Sequence, residues 1–196
     1  MLEVIISRPG CTMFDEAGRI KGSLDIPLSD NGIQQAEKLA VALQTIKLDY
    51  LFVAPCLSAQ MTAERIADRH FCKLKTLDWL RNLDHGLWQG KLLSEVKRLQ
   101  PTFYRQFQEN PGDVCPPGGE TVSQVFQRLQ LPLSKLLRKY EGGRVGFLAP
   151  DPMATILQRC LVGGQLGDIW QLEQDSGTFE AINLQSLESQ PVLQFA

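Results

Sequence analysis

The sequence predicts a three-layer α/β fold, a mostly parallel central sheet with helices on both faces, and three observations lead there. Short runs rich in apolar and β-branched residues (Glu3–Ser7, Tyr50–Val53, Val145–Ala149, Phe179–Leu184) alternate with stretches whose apolar residues recur at three- and four-residue steps. Most of these runs are apolar along their whole length rather than at every second position, as strands covered on both faces are. The composition, 43% hydrophobic and 21% charged with 16 Gly and 11 Pro over 196 residues, supplies enough apolar material for a packed core.

In chain order, Glu3–Ser7 reads as a buried strand that stops at the Arg8-Pro9-Gly10 turn, and a loop follows. From Ser29, Ile33, Ala36, Ala40, Leu43 and Ile46 mark one face of a helix, with Ser29 or Asn31 able to cap its start. Tyr50–Val53 is the second strand, and Leu57–Arg69, with Ala59, Ala63 and Ile66 on one side, the second helix. Leu74–Leu77 is a candidate third strand, residues 92–110 read as short helices, and Asn110–Gly119 is a Pro/Gly-rich loop. Thr121 and Gln124 form a capping box at the head of a long helix with Val122, Val125, Phe126 and Leu129 on its apolar stripe; Pro132 is expected to kink it. Val145–Ala149 is the next strand, Pro152–Val162 the next helix, with Asp151 as cap and Pro152 in the first helical position, and Phe179–Leu184 the last strand. The expected organisation is one domain over 1–196, with 83–120 as a small cap or insert. In such a sheet, ligands bind beyond the carboxyl ends of the strands.

Charge and cysteine content narrow the function. Twenty Lys plus Arg against 22 Asp plus Glu give a net charge of −2, so no general positive field draws the chain to nucleic acid or anionic lipid. No 18-residue apolar run and no secretory leader are visible, and the five cysteines are scattered and odd in number; a reduced, cytoplasmic setting is expected. The two histidines, His70 and His85, lack metal-ligand spacing, so no metal and no cofactor are expected.

One ordered set of segments carries more information. Arg8-Pro9-Gly10, the stretch from Gly18 through Lys21-Gly22-Ser23 to Ser29, Gly32, Gln35-Ala36, Thr62-Ala63-Glu64, Gly86-Leu87-Trp88-Gln89-Gly90-Lys91 and Pro117-Gly118-Gly119-Glu120-Thr121 together resemble the histidine phosphatase superfamily, the phosphoglycerate mutase-like fold, over roughly residues 1–184. The resemblance implies a first strand ending in Arg-His-Gly, whose histidine takes up a phosphoryl group. Here Arg8 and Gly10 stand in place but the histidine position is Pro9, which has neither nucleophile nor side-chain donor. The family's second arginine falls on Ser58, its proton-donating acid on Asn82, and the histidine of its late Ser-His-Gly on Pro150. Phosphoryl transfer through a covalent intermediate needs an activated nucleophile, an acid for the leaving oxygen and several donors for the equatorial oxygens. With Pro9, Ser58, Asn82 and Pro150 in those places, the resemblance implies a degenerate relative that binds a small anionic ligand, phosphate, or a protein partner; the alternative is a divergent phosphohydrolase or mutase-like enzyme using other residues.

Arg8, Gly10, Lys21, Gly22 and Asp151 are the candidate ligand-binding residues. Lys21 lies on a loop that faces the site in the family and is either an anion ligand or a solvated lysine. Asp15 reads as a turn residue, Cys11 as an inert thiol and His85 as a structural histidine. Asp151 either pairs with Arg8, competing with an external anion, or caps its helix facing away.

Overall fold

The computed structural model describes residues 2–163 and 176–184. Its strands are β1 (Leu2–Ser7), β2 (Tyr50–Val53), β3 (Lys73–Thr76), β4 (Arg144–Leu148) and β5 (Phe179–Leu184), and its helices α1 (Met13–Glu16), α2 (Asp30–Leu43), α3 (Leu57–Ala67), α4 (Leu93–Leu99), α5 (Pro101–Glu109), α6 (Val122–Lys139) and α7 (Met153–Val162). The sheet runs β3-β2-β4-β1-β5, with β5 alone antiparallel, beside β1. It is the mostly parallel sheet that the apolar strands imply.

The local chemistry explains most of these boundaries. Ser29 caps α2, its hydroxyl accepting from the Gly32 N–H, and Ala36, Leu39, Ala40 and Leu43 form the buried stripe. The helix stops at Leu43, so Ile46 lies beyond it. The Thr121–Gln124 capping box is present at the head of α6, whose stripe continues through Leu133 and Leu137. Helix α6 runs on through Pro132 as one element; packing along that stripe outweighs the one backbone hydrogen bond that proline removes. Two further readings are corrected. The loop expected after β1 contains α1, closed by a capping box between Thr12 and Asp15. The third strand lies one residue earlier than expected, with all four residues exposed at the sheet edge.

Register decides where the loops converge. Leu148 of β4 is level with Ser7 of β1 on one side and Val53 of β2 on the other. The ladder extends one more residue, the Ala54 N–H donating to Leu148 O and the Ala149 N–H to Ser7 O. Arg8, Pro55 and Pro150 therefore leave the sheet side by side at its carboxyl edge. Residues 83–120 pack beside this edge. Trp88 is fully buried, edge-on to Phe103 at 5.5 Å and to Phe107 at 5.9 Å, and belongs to the same apolar cluster as the sheet and helices.

Candidate functional site

At the end of β1 the chain turns at Pro9-Gly10, and the turn is held by close backbone packing. The Gly10 N–H donates to Thr62 Oγ1 at 3.2 Å, and a Cβ at Gly10 would stand 2.0 Å from the Gly32 carbonyl oxygen, so only glycine brings β1 this close to α2. This fixes Arg8, whose guanidinium is almost fully engaged. Its Nε donates to Asp151 Oδ2 at 2.6 Å, Nη1 to Glu180 Oε1 at 3.2 Å and Nη2 to Thr155 Oγ1 at 3.1 Å. The other Asp151 oxygen accepts from the Thr155 N–H at 3.2 Å and the Thr155 hydroxyl at 2.9 Å.

Asp151 reaches this position through a helix start that differs from the expected one. Pro152, not Asp151, is the cap residue of α7, and the helix begins at Met153. The carboxylate still satisfies one of the helix's orphan N–H groups, that of Thr155, and faces Arg8 rather than away from it. Burial opposes the charge on Arg8, but the attraction and hydrogen bond of Asp151, followed by those of Glu180, hold the guanidinium above its ordinary pKa. For Asp151, burial is the largest influence and pushes the carboxyl up, while Arg8 and Thr155 pull it back.

The second cation is also committed. Lys21 is buried, and its Nζ lies 2.8 and 2.9 Å from the two oxygens of Asp15. Asp15 is thus more than a turn residue: Oδ2 also accepts from the Thr12 N–H, closing the turn after β1. Nor is Lys21 solvated. Around Arg8, Pro9, Gly10, Lys21, Pro150 and Asp151 the remaining space is about 10 Å³. That is scarcely room for one water between the two ion pairs.

Asn82 carries a different structural load. Its Nδ2 donates to Gly22 O at 3.1 Å and Asp151 O at 2.9 Å, and its Oδ1 accepts from the Met153 N–H at 3.2 Å. It thereby ties the Lys21–Gly22 loop, with Gly22 at φ +56°, to the start of α7. Arg128 holds this arrangement from behind, pairing with Glu120 at 2.9 Å and donating to the carbonyls of Trp79, Arg81 and Asn82.

Between these groups and α3 lies a larger cavity of about 140 Å³, lined by Lys21, Gly22, Ser23, Leu24, Asp25 and, across from them, Pro55, Cys56, Ser58, Arg81, Asn82 and Pro150. The Ser58 residue is 2% exposed, and its hydroxyl hydrogen-bonds with the Cys56 sulfur at 3.6 Å. The Leu57 N–H at the head of α3 donates to Asp25 Oδ1 at 2.6 Å.

The Cys11 thiol and the two imidazoles stand in different surroundings. Burial, with Glu16 and Asp15 nearby, raises the Cys11 thiol despite a hydrogen bond with Ser29, so it is protonated at neutral pH. His85 is fully buried, edge-on to Phe107 at 6.0 Å, and burial lowers its pKa to about 4. His70 lies at the other end of the sheet, its Nε2 donating to Leu43 O at 2.5 Å.

Sequence reasoning pointed to Arg8 and Asp151 and missed three partners. Thr155 is recognisable in hindsight as four residues after Asp151, one helical turn away. Glu180 comes from the antiparallel strand, where its register opposite Ile6 has no local signal. Arg128, on α6, acts through backbone carbonyls that only the folded chain brings together.

Comparison with known proteins agrees with this architecture. The sequence model of the histidine phosphatase superfamily (branch 1) matches residues 4–194. Phosphoserine phosphatase 1 of Hydrogenobacter thermophilus is 27% identical over 185 residues, 94% of this chain and 88% of that protein. Phosphoglycerate mutase-like protein 4 of Arabidopsis thaliana is 32% identical over 148 residues, 73% and 64% of the two chains. Among solved structures, the α-ribazole phosphatase of Shigella flexneri superposes with a TM-score of 0.79 at 20% identity, over 93% of this chain and 90% of that one. A mycobacterial glucosyl-3-phosphoglycerate phosphatase with bound VO3 gives 0.80 at 22% identity, over 92% of each chain. At these identities the structural likeness is one of fold.

Proposed function

The chain belongs to the histidine phosphatase superfamily, branch 1, and we propose that within it this protein is a non-catalytic member, a scaffold that binds a small anion or a protein partner and does not cleave phosphoesters. The observation that carries this reading is the Arg8–Asp151 pair at 2.6 Å, with about 10 Å³ left around it. An arginine that would hold a transferring phosphoryl group is held instead by a carboxylate of the same chain, and the adjacent turn offers Pro9 where a nucleophile would stand. The second flank, Pro150, also has no donor, and Asn82 is fully occupied by backbone groups.

The energetic consequence is severe for the inherited chemistry. General acid catalysis contributes about 10²- to 10⁴-fold, and without a nucleophile the covalent route itself is gone. A panel of phosphomonoesters, including p-nitrophenyl phosphate and phosphoserine, is expected to give turnover indistinguishable from buffer. Activity that co-purifies with the protein and disappears in Arg8→Ala would overturn the reading in favour of a divergent phosphohydrolase.

A further inference from the structure

We infer that the cavity of about 140 Å³ beside the filled Arg8 crevice is a binding site for a short-chain monocarboxylate. The inference rests on the non-catalytic reading, because it takes the inherited anion crevice as closed and asks what the adjoining space selects.

The donors belong to one small area. Ser58 is 2% exposed and lines the cavity, and among the described residues its hydroxyl hydrogen-bonds to no nitrogen or oxygen, only to the Cys56 sulfur at 3.6 Å. In the same first turn of α3 the cap residue Cys56 makes no side-chain hydrogen bond and Asp25 accepts from the Leu57 N–H alone, so among the described residues nothing accepts from the Ser58 or Ala59 N–H groups. Arg81 lies across the cavity with its side chain 54% exposed, and only a 3.6 Å contact with Glu120 holds its guanidinium. A planar carboxylate matches a guanidinium in bidentate fashion and can take up the hydroxyl and N–H donors with its remaining lone pairs.

Charge and size set the class. Lys21 lines the cavity but is already neutralised by both oxygens of Asp15, whereas Arg81 shares Glu120 with Arg128 and meets it only at 3.6 Å, so Arg81 is the less committed of the two lining cations. Asp25 lines the same space and contributes a negative charge, which penalises a dianion more than a monoanion. The volume corresponds to between four and five waters at about 30 Å³ each. That accommodates a carboxylate with two or three further carbons, the alkyl part lying against Leu24, Pro55 and Pro150.

Calorimetric titration of the full chain with propionate, its neutral isostere propionamide and orthophosphate tests this. Propionate is expected to bind saturably, propionamide not at all, and orthophosphate about tenfold more weakly than propionate. Arg81→Gln should weaken propionate at least about tenfold, the loss of one charge-assisted contact. Asp25→Asn keeps an oxygen for the Leu57 N–H, so it should tighten orthophosphate while leaving propionate within about twofold. Both substituted residues are exposed, and thermal melts check that the variants fold. The carboxylate site is refuted if propionate fails to saturate, if orthophosphate binds the native protein as tightly, or if Arg81→Gln binds propionate unchanged. Phosphomonoester turnover would defeat the non-catalytic reading and leave these titrations standing; failed propionate binding without turnover defeats the site alone.

Discussion

Arg8 and Asp151 form a buried ion pair at the carboxyl edge of the sheet. Each is buried, so neither can be removed without cost to the other. Arg8→Ala should destabilise the protein by about 3–5 kcal/mol, because the Asp151 carboxylate would remain buried with only the Thr155 donors. Asp151→Ala should cost less, since Glu180 still faces the guanidinium at 3.2 Å. Urea denaturation of both single variants and the double variant checks this; strictly additive losses would mean that the pair is not coupled. His85 offers a separate test in acid. Its folded-state pKa of about 4 lies below the ordinary 6.5, so between these values the unfolded chain binds a proton that the native protein does not. Stability should therefore fall as pH drops from about 6.5 towards 4, by about 3 kcal/mol from this residue. His85→Leu should remove that part of the pH dependence, and identical acid profiles for the two proteins would contradict it.

At the scale of elements, capping chemistry was the most readable feature and the start of α7 the least. The Thr121 hydroxyl accepts from the Gln124 N–H while the Gln124 side chain accepts from the Thr121 N–H, a reciprocal pattern written entirely within four residues. Thr121→Ala should cost about 1 kcal/mol, read as a lowered urea midpoint with unchanged slope. An effect within error would mean that solvent caps α6 equally well. The Asp151-Pro152 pair also signals a helix start, but it did not reveal that the helix begins one residue later. That shift depends on Asn82 Oδ1 accepting from the Met153 N–H, a contact between residues 71 apart in sequence. Likewise, β3 was legible as a strand, yet its exposed edge position follows from the order of the whole sheet.

For the whole molecule, the level ends of β1, β2 and β4 create one shared edge, and every group discussed as a candidate site lies along it. From residues 83–120, Trp88, Val96 and Phe107 join the apolar cluster formed by the sheet and its helices. Trp88→Ala should therefore lower the stability of the entire chain, by about 3–5 kcal/mol, rather than release a local segment. A single cooperative unfolding transition, coincident by fluorescence and circular dichroism, is expected for both native and variant proteins. Two separated transitions would show that 83–120 unfolds on its own.

The order of strands and helices, the buried faces of α2, α3 and α6, and the family to which the chain belongs were determined by sequence alone, because apolar periodicity, capping and glycine-bearing turns are short-range properties. The absence of a nucleophile at Pro9 is equally local. Tertiary structure alone decided that Arg8 is shared by Asp151, Thr155 and Glu180, and that Lys21 is committed to Asp15. The physical reason is that a charge's partner depends on distance in space and on burial. Those quantities arise only when strand register and helix packing bring residues 8, 151 and 180 to one edge of the sheet.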